Sequence, residues 1–432
     1  MDRALHRLLQ AASRPEWGRA AADREINMAK IRPFRALRPQ PSLASTIAAV
    51  PYDVVNTEEA RALAAGNDLS FLHVSRAEID LPPDTNPYAD IVYRTAAERF
   101  ARIRQHMVEE REPALYFYKL RMGTHEQTGL AAGYSLDEYD ADLVKKHEKT
   151  RRDKEDDRTR HITELRAQTG PVFLTYKASA AVDAVAARAA RTPPLYDIVA
   201  PDGITHTVWK VTGADLQQVV DAFGQLPAVY IADGHHRAAS AARARKALVR
   251  ETGRDGVVEA DWFLAVAFPD NQTQILPYNR VVKDLAGLSP EAFVQRVKAR
   301  FPVRDGGPAA PAKKGDVAMY LGGSWFTIEV SARAGTDVIG ALDVSILQDQ
   351  LLDPILKIAD VRTDKRIDFV GGIRGTAELE KLVTSGKAAV AFSLFPVSVG
   401  HLMGIADAGQ IMPPKSTWFE PKLRDALLIH LI

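Results

Sequence analysis

The residues best suited to chemistry stand in the string Tyr230-Ile-Ala-Asp-Gly-His-His-Arg237. The apolar, β-branched run Ala228 to Ala232 predicts a buried strand, and the Ala- and Arg-rich segment from His236 to about Leu248 predicts a helix. Asp233 and Gly234 then occupy a tight strand-to-helix turn. Such a turn points the free N–H groups of the first helical turn, and the positive end of the helix dipole, toward one spot. His235, His236 and Arg237 would surround that spot with donors and make an anion site. The plainer reading is a helix capped by Asp233 with two surface histidines.

Two more constellations qualify. Residues 144–161, VKKHEKTRRDKEDDRTRH, hold eight Lys/Arg, five Asp/Glu and two His. The spacing predicts a solvated helix over roughly 137–167, with Glu148/Arg152 and Arg151/Glu155 as pairs four residues apart. Glu148, beside His147 near the expected helix start, is the one carboxylate placed to face a pocket. Residues 412–423, MPPKSTWFEPKL, set an ammonium and two hydroxyls in a row at Lys415, Ser416 and Thr417 behind two prolines. That row suits a phosphate or a carboxylate, and it suits an ordinary turn equally well. The glycines of DFVGGIRG (368–375) suggest a loop of close backbone approach. His125, His206 and His401 are scattered and read as structural. HExxH, GxSxG and P-loop patterns are absent from the sequence.

The elements that must position these residues follow from the rest of the chain. Its 432 residues are enough for several cores. Apolar residues make up 46% and charged residues 26%, an ordinary globular composition, and the formal net charge is +1. A broad nucleic-acid coat would need a clearer basic excess. With no cysteine, disulfides, thiolate metal sites and a cysteine nucleophile are excluded, which fits a cytoplasmic protein. No apolar stretch approaches the length of a membrane helix, and residues 1–27 read as a peripheral extension rather than a secretory signal.

Strand signals are AAVPYDVV (48–55), DLSFLHVSR (68–76), ALYFYKLRM with QTGLAAGYSL as its hairpin partner, GPVFLTY and WFLAVAFP. A long helix is expected from about Ala89 to Glu110, a hairpin turning at Pro201-Asp202-Gly203, and a late helix in SILQDQLLDPILKI. The expected class is α+β, that is mixed α/β. The expected segments are the extension 1–27, an N-terminal α/β region 28–135, a core 136–282 carrying the turn, and a C-terminal region 283–432 that contributes the Pro-Lys-Ser-Thr loop.

The string IADGHHRAAS resembles the signature turn of the ParB/sulfiredoxin-like superfamily, whose members bind nucleotide phosphates at this junction. Within it the sequence is similar to free serine kinases, which phosphorylate L-serine from a nucleotide donor. Those enzymes carry a His-Glu pair, then Asp-Gly-His-His-Arg, then a late Pro-Lys-Thr-Thr; here the order is His147-Glu148, Asp233 to Arg237, and Pro414-Lys415-Ser416-Thr417. From about Met28 onward the chain also resembles a large bacterial family, domain-of-unknown-function family 1015, through PYDVV, KKHEKTRRDKEDDR, YIADGHHR and MPPKSTWFEPKL. The chain is longer than the serine kinases, and about 80 residues separate Glu148 from Asp233, so inserted elements would reshape the acceptor pocket.

The resemblance implies Glu148 as general base toward an acceptor hydroxyl and Asp233 as the group that orients that hydroxyl or holds Mg²⁺. It implies Gly234, His235, His236 and Arg237 as the phosphate cradle. Lys415, Ser416 and Thr417, with His147, would hold the acceptor's carboxylate or a donor phosphate, and Asp53 of PYDVV is a further candidate for the same site. The expected function is a small-molecule kinase acting on serine or a similar hydroxy acid. The alternatives are a phosphatase or nucleotide hydrolase, a ParB-like nucleotide-binding regulator, and a metabolite sensor.

Overall fold

The computed structural model describes residues 29–253, 258–332 and 335–432; the expected extension over residues 1–27 lies outside them. The class is mixed α/β, built on two large sheets. The larger takes nine strands: β1 (Ile31–Arg32), β2 (Leu115–Met122), β3 (His125–Ser135), β4 (Val144–Lys145), β5 (Val172–Tyr176), β6 (Tyr196–Val199), β7 (Thr205–Val211), β8 (Val229–Asp233) and β9 (Trp262–Pro269). Their order is β4-β8-β5-β9-β3-β2-β7-β6, with β1 added beside β3. Most neighbours are antiparallel, but β4/β8 and β5/β9 are parallel.

Alternation along β2 shows why the sheet forms. Tyr116, Tyr118 and Leu120 enter one core, while Leu115 and Phe117 enter the core on the opposite face. The β2–β3 hairpin turns between Met122 and His125, where Gly123 has φ 60°, a left-handed value open to glycine without strain.

The second sheet has six antiparallel strands: β10 (Tyr278–Val282), β11 (Val303–Asp305), β12 (Asp316–Leu321), β13 (Ser324–Glu329), β14 (Ile367–Gly371) and β15 (Val390–Leu394), ordered β11-β13-β12-β15-β10-β14. Phe173, Tyr230 and Phe268 of the first sheet share one core with Phe392 and Leu394 of the second. A small sheet ties distant segments together, pairing Met107–Glu109, Ala36–Pro39, Ile429–Leu431 and Ala167–Gln168 in that order. Three helices matter for the site or its support: α1 (Asp90–Arg104), α2 (Arg152–Leu165) and α3 (His235–Thr252).

Five expected elements differ. The segment 48–55 is not a strand: only Ala49 pairs, in an isolated bridge to Asp425, and Pro51, which has no N–H to offer, is followed by a turn. The segment 68–76 is not a strand; Leu72–Ser75 is a helical turn buried throughout, and a short apolar run cannot distinguish a buried helix from a buried strand. The helix expected to reach Glu110 stops at Arg104, and Met107–Glu109 turns into the small sheet. The expected helix over 137–167 is broken into Leu136–Asp140, strand β4, a loop and α2, because Val144 and Lys145 pair with β8 instead. The late helix is α-helical only over Asp343–Leu347, continues as a π turn to Leu352, and ends before Pro354, which has no N–H to offer. The glycine loop at 368–375 does make close approaches, but to protein: a Cβ on Gly371 would lie 2.8 Å from the Trp418 ring and one on Gly372 2.7 Å from the Pro277 carbonyl.

Candidate active site

Strand β8 loses its register against β5 between Ile231 and Asp233, so Ala232 is the extra residue of a bulge that re-aims Asp233. Gly234 follows with φ 92° and is the N-cap of α3, a conformation that favours glycine. Asp233 therefore caps nothing; its Oδ2 accepts a 2.8 Å bond from Lys422 Nζ. Burial alone would raise the Asp233 carboxyl, but Lys422 and then Arg237 outweigh it and hold the pKa well below the carboxylate range.

Arg237 lies under the turn. Its Nη2 reaches Asp53 at 3.2–3.3 Å and its Nη1 donates to the Pro171 carbonyl at 2.6 Å, while Nε is buried without a partner. Behind it, burial pushes the Asp425 carboxyl up to about 7, with Asp53 adding to the rise and Arg237 opposing it. Arg158 stacks 4.2 Å over the Tyr52 ring and binds Asp157 at 2.8 Å, walling the same side.

Because β4 runs parallel to β8, the chain leaving β4 emerges at the edge where Asp233 and Gly234 sit. That places His147 and Glu148 in a loop against the start of α3, rather than on a helix. The His147 backbone N–H approaches His235 Nε2 at 3.4 Å, and the two rings stack edge to face at 4.5 Å. Burial lowers the His235 imidazolium well below its ordinary range, so the neutral ring presents Nδ1–H toward Glu148 Oε2, 3.8 Å away. His236 behaves alike: Arg151 N–H donates to its Nε2 at 3.0 Å, and burial lowers its pKa.

His147 is only 2% exposed, and neither ring nitrogen makes a hydrogen bond of normal geometry. Burial brings its pKa down to about 4, the Ile231 backbone and Asp233 opposing only in part. It backs His235 instead of lining the opening. The expected pairs of Glu148 with Arg152 and Arg151 with Glu155 do not form; Arg151 binds Asp153, and Glu155 is taken by Arg243 of α3 at 3.0 Å.

Glu148 is the exposed member of the group, its side chain 49% accessible at the mouth of the cleft. Its pKa is raised, first by the desolvating walls, then by the Asp233 and Asp53 carboxylates, with Lys415 opposing. Lys415, at φ 56°, places its ammonium 5.4 Å from the Tyr278 ring centre and close enough to act on Glu148. Ser416 is buried and donates to the Pro413 carbonyl at 2.6 Å, which makes it part of the turn. Thr417 is half-buried, and its hydroxyl makes no hydrogen bond among the described residues. Of the three expected residues, Lys415 alone reaches toward the Glu148 side of the cleft.

Lys422 is the clearest omission of sequence reasoning, although it stands in the quoted motif. A lysine after a proline carries no local signal; its partner is 189 residues away. Asp425, Tyr52 and Arg158 were equally silent.

Among the described residues no group of three His, Asp or Glu could cage a metal ion. Asp53 and Asp233 are each bound to a cation, whereas Glu148 forms no ion pair with a Lys or Arg among the described residues. This suits at most a divalent ion arriving on phosphates and touching one or two carboxylates, the habit of Mg²⁺. No helix among these residues is long and apolar enough to cross a membrane.

Several solved structures are similar at low identity. SbnI with a C-terminal truncation, from Staphylococcus aureus, shares 14% identity over 70% of this chain and 87% of its own, with a TM-score of 0.36. A free serine kinase in complex with AMP shares 16% over 69% and 92%, TM-score 0.32. A conserved hypothetical protein from Pyrococcus furiosus shares 16% over 70% and 95%, TM-score 0.33. No curated protein sequence matches. The family comparison covers far more ground than a motif: residues 31–345 match the model described as "Protein of unknown function (DUF1015)", and the chain belongs to that family.

Proposed function

We propose that the cleft transfers a phosphoryl group from a nucleotide to the hydroxyl of a small molecule, serine or a similar hydroxy acid, with Glu148 as general base. One observation carries the reading: Glu148 faces the start of α3 as a cleft carboxylate with no Lys or Arg ion pair among the described residues, and burial raises its pKa. The carboxylates of Asp233 and Asp53 are already tied to Lys422 and Arg237.

In this reading the donor phosphates lie on the first-turn N–H groups of α3 after Gly234, with the neutral His235 and His236 as further donors. Arg237 contributes its field and its unpartnered Nε, since its other nitrogens are occupied. Lys415 meets the acceptor's carboxylate. Glu148 takes the hydroxyl proton, the oxygen bonds to the terminal phosphorus, and the bond from that phosphorus to the bridging oxygen breaks, leaving the shortened nucleotide. Mg²⁺ on the nucleotide would neutralise phosphate charge, with Asp233 Oδ1, outside the Lys422 bond, as its protein contact. The turn supports placing this core in the ParB/sulfiredoxin-like superfamily, and the cysteine-free chain suits the cytoplasm.

The test is phosphorus NMR on purified protein with Mg²⁺ and ATP, ADP or polyphosphate, against L-serine and other hydroxy acids. Phosphoserine is expected, falling at least about 100-fold in Glu148→Gln while nucleotide binding persists. The base must be ionised, so the rate should rise with pH through the raised Glu148 pKa. The half-exposed Glu148 also favours a second reading, hydrolysis by water; free phosphate independent of any acceptor would establish it. Nucleotide binding with no product in any combination would defeat both.

A further inference from the structure

A second pocket opens beside the six-stranded sheet, lined by Tyr278, Arg280 and Leu394 of its strands and by Ser416 of the loop that carries Lys415. At its floor is Arg280 of β10, only 1% exposed. Its guanidinium donates to the Tyr278 and Lys415 carbonyls and lies 5.5 Å from the Phe369 ring centre. Among the described residues no carboxylate forms an ion pair with it. A buried guanidinium without a counter-charge is unfavourable, and burial draws the Arg280 pKa down to about 9.

The pocket around Arg280 is concave and carries one more cation, Lys314. His401, held neutral by burial, lines it too, and so does Ser398, the N-cap of the helix Val399–Asp407. The positive end of that helix thus borders the space that Arg280 faces. Asp343 supplies the opposing charge, but its carboxylate accepts the Gly315 N–H at 2.9 Å, and burial raises its pKa. Val344, Leu394 and Phe395 make the rest of the wall apolar.

We propose that this pocket binds a small organic anion, its carboxylate or phosphate seated between Arg280, Lys314 and the helix N-terminus, and its short apolar body against Val344 and Leu394. The ligand supplies the counter-charge that the fold withholds. The Arg280 bond to the Lys415 carbonyl places the ligand directly behind the loop that serves the cleft.

Calorimetric titration of the full chain with isovalerate, acetate and inorganic phosphate tests this. One saturable site is expected, with isovalerate tighter than acetate if the head is a carboxylate and phosphate tightest if it is a phosphate. Arg280→Gln should weaken binding at least about tenfold and the exposed Lys314→Glu about fivefold. Lys177→Ala, exposed and outside both sites, should leave isovalerate affinity unchanged. The proposal falls if none of the three anions saturates a site. It falls equally if binding is lost in Lys177→Ala but kept in Lys314→Glu. Should Arg280→Gln fail to fold by circular dichroism, the Lys314→Glu result decides.

Discussion

Arg237 and Arg280 are both buried, and their electrostatic situations are opposite. Burial disfavours each cation. At Arg237 the carboxylates of Asp53, Asp233 and Asp425 outweigh it and hold the pKa above the ordinary arginine range. At Arg280 only Tyr278 opposes burial, and the pKa falls to about 9. The first arginine is a finished part of a preorganised cleft, with its neighbours already balanced. The second meets two backbone carbonyls but no carboxylate among the described residues, so its charge is left for the proposed anion to balance.

The contrast can be broken by substitution. Arg237→Met should cost the most, about 3–5 kcal/mol in urea unfolding, because Asp53 and Asp425 are left without their cation. A smaller loss, about 2 kcal/mol, is expected for Asp233→Asn, since Lys422 loses its partner at a position still in partial contact with water.

Asp425 sharpens the comparison through pH. Its folded pKa is raised, so its contribution to stability is complete below the ordinary carboxylate pKa and is lost as pH climbs toward about 7. Relative to Asp425→Asn, the unmodified protein should therefore lose stability between about pH 4 and 7, by on the order of 4 kcal/mol. A parallel pair of stability curves would show that Asp425 stays ionised throughout.

Arg280→Met should change stability least, within about 1 kcal/mol, because removing an uncompensated buried charge offsets the two lost carbonyl bonds. A loss as large as that of Arg237→Met would mean the two arginines are balanced alike, and the contrast would disappear.

Much of this organisation could be read from local pattern. Strands β2, β3, β5, β8 and β9, the hairpin at Pro201-Asp202-Gly203 and helix α3 all follow runs whose period or turn residues speak for themselves. The misread elements share one cause. At residues 68–76 and 137–167 the local signal was weak or mixed, and packing against remote partners chose the conformation.

The site divides the same way. By itself the sequence determined that a strand meets a helix at Asp233-Gly234, that neutral-range donors cluster there, and that Glu148 and Lys415 were candidates. Tertiary structure alone decided that Lys422 claims Asp233, that Asp53 and Asp425 surround Arg237, that Ser416 is spent on its own turn, and that Arg280 meets no carboxylate among the described residues. The physical reason is range: turn chemistry and periodicity act over a few residues, whereas the pairing of buried charges depends on which distant segments the sheets bring into one low-dielectric space.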